Sequence, residues 1–141
     1  MKIVICGSSS FRNKKVEIRD KLNSFGHEAI IDIWTEKLAK GEAEELAKRI
    51  EKEHSEVKKE YDLIRLYYNI IKDCEAILVI NLDKNNIKNY IGANTFLEMG
   101  YAYYLNKKIF LFNPLPEQDY LLDELKTINP IVINQDLSKI N

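Results

Sequence analysis

The sequence predicts an α/β fold of three layers, a five-stranded parallel sheet with helices on both faces. Two observations predict it. Short apolar, β-branched runs alternate with longer segments of helical spacing, and that alternation builds a parallel sheet through crossover connections. The clearest run, Ala76-Ile-Leu-Val-Ile-Asn81, is almost wholly apolar, as suits a strand covered on both faces. With 141 residues the chain reads as a single domain, 1–141, long enough to bury a core.

Lys2-Ile-Val-Ile-Cys6 stops at Gly7 and reads as the first strand. The loop Gly7-Ser8-Ser9-Ser10-Phe11 follows it. A helix from Asn13 to Phe25 is drawn on the spacing of Val16, Ile18, Leu22 and Phe25, with Gly26 as its stop. His27 to Ile33 is the second strand, and Asp32 near its end is expected to be solvated. From Thr35 to Lys72 the chain is charged and helical in composition. Glu42 to Val57 alternates acids and bases around a thin stripe of Leu46, Ile50 and Val57, the pattern of a solvated surface helix. Glu60 to Ile71 is more apolar and should pack on the sheet. Thirty-eight residues exceed an ordinary crossover, so a helical hairpin, a lid or a dimer arm is expected here.

Ala76 to Asn81 is the third strand, and its polar loop, Asn81-Leu-Asp-Lys-Asn-Asn86, runs on to Gly92. A helix then carries Phe96, Leu97, Glu98, Met99, Tyr101 and Ala102 as far as Lys107-Lys108, two cations at the negative end of its dipole. Ile109-Phe-Leu-Phe112 is the fourth strand, and Asn113-Pro-Leu-Pro-Glu117 is turn-rich. Tyr120 to Ile128 is a short helix ended before Pro130, and Ile131-Val-Ile133 is the fifth strand. The commonest solution for five such strands is the flavodoxin-like order 2-1-3-4-5. Its ligand crevice opens at the C-terminal ends of strands one and three. Those ends carry Gly7-Ser8-Ser9-Ser10 and Asn81-Leu-Asp83, and the second of them leads to Glu98.

A net charge of −1 gives no reason to expect a nucleic-acid polymer or an anionic membrane as partner. Cys6 and Cys74 are too few for a disulfide scaffold, and His27 and His54 stand alone, so no metal-ligand spacing exists. The apolar start is too short for a signal peptide or a spanning helix, and a cytoplasmic protein is expected.

Glu98 has no Lys or Arg within four residues on either side, so no local helical ion pair can satisfy it. Two readings stay open. Thr95-Phe-Leu-Glu98 matches a capping box, with Thr95 as N-cap. Alternatively the carboxylate faces a pocket and does chemistry there.

Three pieces of the chain bear on that choice: Ile5-Cys6-Gly7-Ser8, Glu75-Ala-Ile-Leu-Val-Ile-Asn81, and Gly92-Ala-Asn-Thr-Phe-Leu-Glu98-Met-Gly100 with Ala102, Lys107-Lys108 and Ile109-Phe-Leu-Phe112. They resemble the first-strand loop, the central strand, and the Glu-x-Gly helix with its following strand in the nucleoside 2-deoxyribosyltransferase superfamily, which includes nucleoside 5′-monophosphate N-glycosidases. The resemblance implies an enzyme that cleaves or transfers at the N-glycosidic bond of a (deoxy)nucleoside or nucleoside monophosphate, with Glu98 as nucleophile. It implies a small-molecule nucleoside or nucleotide as partner, no cofactor, and a homodimer or higher homo-oligomer. Substrate binding then falls to Gly7, Ser8, Ser10 and Phe11 in the first loop, and to Asn69, Asn81, Gly92 and Asn94. Asn94 would replace a ribose-binding side chain or serve as the helix N-cap. The family's Asp before the central strand has no match here, since Tyr67, Tyr68 or Asn69 occupies its register. A nucleotide-binding module without turnover, or a homo-oligomeric interaction protein built on the charged helix, are the alternatives.

Overall fold

The computed structural model describes the backbone of residues 1–141 and all side chains except those of residues 54, 58, 60 and 61. The side chain of His54, isolated in the sequence, thus lies outside the described residues. So do those of residues 60 and 61, which open the apolar piece expected to end at Ile71.

Five parallel strands, β1 (Lys2–Cys6), β2 (Glu28–Ile30), β3 (Ala76–Val79), β4 (Lys108–Leu111) and β5 (Ile131–Val132), lie in the order β2-β1-β3-β4-β5. This is the predicted order. Ile5 pairs in register with Leu78, and Leu78 with Phe110. The connecting helices are α1 (Arg12–Ser24), α2 (Ile33–Ala39), α3 (Glu44–Lys52), α4 (His54–Tyr61), α5 (Leu63–Lys72), α6 (Ala93–Tyr104) and α7 (Asp119–Ile128). Among the described residues, no helix is long and apolar enough to cross a membrane.

Strand periodicity divides the core in two. Ile3, Ile5 and Leu78 face one layer with Ile18 and Leu22 of α1. Val4, Cys6 and Ile77 face the other with Ile71 of α5, Met99 and Ala102 of α6 and Leu125 of α7. Because both faces are covered, β3 can be apolar at every position and β1 at every position after Lys2. Each fully buried aliphatic side chain of this kind stabilises the fold by roughly 2 kcal/mol before entropy is counted.

Three local expectations need correcting. The second strand ends at Ile30 because Asp32 is the N-cap of α2, its carboxylate accepting from the Thr35 N–H at 3.0 Å. The long segment 35–72 folds into four helices, α2 to α5, rather than two. Its stripe of Leu46 and Val57 is buried, as expected of a surface helix with one polar face. The capping box is absent from α6. Its N-cap is Gly92, whose carbonyl accepts the first helical bond from the Phe96 N–H at 2.9 Å. Thr95 and Asn94 are therefore inside the helix, and Glu98 sits one turn too deep to cap anything.

Candidate active site

The tips of β1 and β3 meet as predicted. Gly7 follows β1 with a φ of +148°, and a Cβ there would stand 2.8 Å from the Ile80 carbonyl oxygen, so the backbone passes where only glycine fits. Ser8 then caps a single 3-10 turn, Ser9–Phe11. From the β3 side, Lys84 donates to Ser8 Oγ at 2.8 Å and lies over the Tyr90 ring. The stretch before α6 is held by Gln118, which is buried. Its Oε1 accepts from the Ile91 N–H at 2.8 Å and its Nε2 donates to the Ile91 carbonyl at 3.0 Å. That amide pair sets Gly92 and the start of α6 beside the β1 loop.

A cavity of about 370 Å³ opens between these tips and helices α2 to α5. Its polar lining includes Ser8, Ser9, Lys84 and Asn94, and its apolar lining includes Trp34, Leu38, Leu46, Ile50, Val57 and Leu63. Lys15, Asp32, Tyr67 and Glu98 stand along the same wall.

These four titratable side chains are all buried. Asp32 accepts from the Tyr67 hydroxyl at 2.6 Å and from the Thr35 hydroxyl at 2.5 Å. Tyr67 is pushed well above its ordinary pKa by burial, with the Asp32 and Glu98 charges adding to the effect, so it is a donor. Lys15 is only 2 % exposed and its ammonium lies 5.7 Å from the centre of the Tyr67 ring. Burial pulls its pKa down, while the Glu98 and Asp32 carboxylates hold it up. Glu98 Oε2 is buried with no hydrogen-bond partner among the described residues. Burial pushes the Glu98 carboxyl up to about 7; the Lys15 charge and the Cys6 thiol act against this, and Asp32 adds to it. A carboxylate poised near neutrality in a cavity can act as nucleophile, acid or base. Among the described residues no group of three or more His, Cys, Asp and Glu could hold a metal ion.

Of the residues predicted from sequence, Gly7, Ser8, Gly92, Asn94 and Glu98 line the cavity. The others do not. Ser10 is exposed and its hydroxyl meets that of Ser8 at 2.9 Å, so it steadies the rim. Phe11 belongs to the core under α1. Asn69 lies exposed on α5, facing away. Asn81 is fully buried and serves the fold: its Nδ2 donates to the Asn113 and Pro114 carbonyls, and its Oδ1 accepts from the Asn113 N–H at 2.8 Å. Asp32, expected to be solvated, is 5 % exposed. Lys15, Trp34, Tyr67, Lys84 and Tyr90 were not singled out as ligand contacts from sequence. One signal for Lys15 was available, since Lys15, Ile18 and Leu22 share one helical face and a lysine there interrupts an apolar stripe.

No family model matches the chain, and no curated protein does. Among solved structures, it is similar to the CMP N-glycosidase BcmB of Clostridium botulinum at 17% identity, with a TM-score of 0.53, covering 94% of this chain and 87% of that one. At that identity the likeness is one of fold.

Proposed function

We propose that this protein cleaves, or transfers at, the N-glycosidic bond of a nucleoside or nucleoside monophosphate, with Glu98 as the nucleophile. The observation that carries the reading is the buried Glu98 oxygen, which has no hydrogen-bond partner among the described residues and is set on a sugar-sized cavity where the tips of β1 and β3 meet. That the fold is shared with an N-glycosidase supports it.

In this reading a Glu98 oxygen bonds to the anomeric carbon while the bond from that carbon to the base nitrogen breaks. The electron pair leaves with the base, which takes up a proton. Negative charge fixed below the ring stabilises the oxocarbenium-like transition state. Water then attacks the same carbon, its hydroxyl stays on the sugar, its second proton is released and Glu98 is freed. A second base in place of water makes the step a transfer. Asp32, an acceptor already held by Tyr67 and Thr35, is proposed to orient the leaving base, and the proton the base takes up comes from water. Trp34 and Leu46 offer an apolar wall for a flat base, and Ser8 with Lys84 offers donors to the 5′ end.

Incubation with nucleosides and monophosphates, followed by chromatography for free base, tests the reading. Base should be released by the wild type and not by Glu98→Ala. Release that persists unchanged in Glu98→Ala would refute the nucleophile. The protein is further proposed to act as a homodimer or larger assembly. Ala93, Leu97, Gly100 and Tyr104 leave one exposed, weakly polar face on α6, with Leu97 45% and Tyr104 78% exposed. Light scattering should give at least twice the 16.5 kDa chain mass.

A further inference from the structure

Two buried groups of opposite charge share the cavity wall without meeting. Glu98 Oε2 has no hydrogen-bond partner among the described residues. Lys15, 2 % exposed, makes no hydrogen bond and no ion pair within 4.0 Å among the described residues, its contact being the face of Tyr67. They nonetheless feel each other electrostatically, each charge favouring the other. Lys15 is also held in place: its stem packs on Gly7, where an added Cβ would lie 3.5 Å from Lys15 Cε. The third charge on the wall is engaged already, since Asp32 accepts from Thr35 and Tyr67. The Cys6 thiol is buried beside Glu98 and is held protonated by burial.

A single ligand atom serving both groups must accept from an ammonium and donate to a carboxylate. A carbonyl or phosphate oxygen only accepts, and an amide N–H only donates. A hydroxyl does both. If Glu98 attacks the anomeric carbon from the face opposite the base, the sugar hydroxyl nearest to it on that face is the 2′-hydroxyl of a ribose.

We propose that Lys15 and Glu98 together hold the 2′-hydroxyl of a ribosyl substrate, so that the site selects ribonucleosides or ribonucleotides over their 2′-deoxy counterparts. The inference rests on the glycosidic reading above and narrows its substrate class. Lys15 is the specificity-determining residue. A deoxy sugar leaves both buried charges without the partner the ribose supplies, and sites built to bind a hydroxyl discriminate strongly against its absence.

The test uses matched pairs, CMP with dCMP and AMP with dAMP, and their nucleosides, with free base measured for wild type and Lys15→Met. Wild-type kcat/KM should favour the ribo member by ~100-fold. Lys15→Met should shrink that ratio at least ~10-fold, because it removes the donor to the hydroxyl. Base release that favours the deoxy member, or shows no preference, or keeps its ratio in Lys15→Met, overturns the inference and leaves the glycosidic reading standing. Release from no member of any pair removes the glycosidic reading, and the inference with it. A measurement on the wild type alone covers poor folding of the variant. Ribose 5-phosphate should raise the melting temperature more than 2-deoxyribose 5-phosphate at equal concentration, and equal shifts would overturn the inference.

Discussion

Replacing Glu98 by Gln should change how stability depends on pH. The carboxyl titrates near 4.5 when exposed and is pushed up to about 7 in the fold by burial. At ~1.4 kcal/mol per pKa unit, that difference corresponds to about 3 kcal/mol. The folded state binds this proton more tightly than the unfolded chain does. The contribution is therefore fully present below about 4.5 and is lost as pH rises through about 7. Glu98→Gln keeps the size and a neutral polar head, so it should be close to wild type at pH 5 and more stable than wild type by about 2–3 kcal/mol at pH 8. Lys15, whose pKa burial lowers, acts in the opposite sense, and it is common to both proteins. Urea unfolding at the two pH values measures the effect. Trp34, the one tryptophan, lines the cavity and supplies the fluorescence signal. If the wild type and Glu98→Gln show the same difference between pH 5 and pH 8, Glu98 is not a buried carboxyl of raised pKa, and the electrostatic picture of the site fails.

The remaining predictions are shorter. If Glu98 is the nucleophile, it must be ionised, so kcat/KM for base release should rise with pH through about 7. A flat profile from pH 5 to 8 with chemistry rate-limiting would contradict this. Asn81→Leu should cost about 2–4 kcal/mol in urea unfolding, because it strips partners from the Asn113 N–H and the Asn113 and Pro114 carbonyls. A loss below ~0.5 kcal/mol would instead argue against a structural role for this side chain. Gly7→Ala should destabilise by about 2–3 kcal/mol, since it forces a Cβ onto the Ile80 carbonyl at a left-handed φ. Lys84→Met should raise KM for monophosphates about tenfold more than KM for the matching nucleosides, because it removes a cation beside Ser8. Equal effects on both would place the phosphate elsewhere.

The architecture was legible because it rests on patterns that a linear chain displays. Ile3-Val4-Ile5 and Ala76 to Val79 are apolar without alternation, and only a strand covered on both faces tolerates that. Glu98 was legible for a related reason, an acid in an apolar helical run with no local cation. What the sequence hid was the route by which its surroundings satisfy or fail to satisfy it. Lys15 is 83 residues away in the chain, and only the fold sets it on the same cavity as Glu98. Asn81 misled in the opposite direction. A polar residue at the tip of a central strand reads as a ligand contact, yet its amide closes the ends of β3 and β4 together. The Thr95 motif misled because a capping box needs a helix that starts at Thr95, and Gly92 starts this one.

The long segment between β2 and β3 explains why the site has the electrostatics it does. In an open doubly wound sheet the crevice at the strand tips is wet, and a carboxylate there keeps an ordinary pKa. Here the stripe of Leu46, Ile50 and Val57 and the single Trp34 roof the crevice with apolar surface, and their outer faces carry the charges that keep α3 and α4 soluble. The amphipathic pattern read as a mere surface helix is therefore the wall of a cavity. Drying the crevice raises the cost of charge on Glu98 and Lys15 together. Neither can relieve the other fully, because they do not close to within 4.0 Å. A polar ligand atom that bridges them would remove part of that cost on binding. Stability lost in the free protein would then reappear as affinity for the group that fits between them.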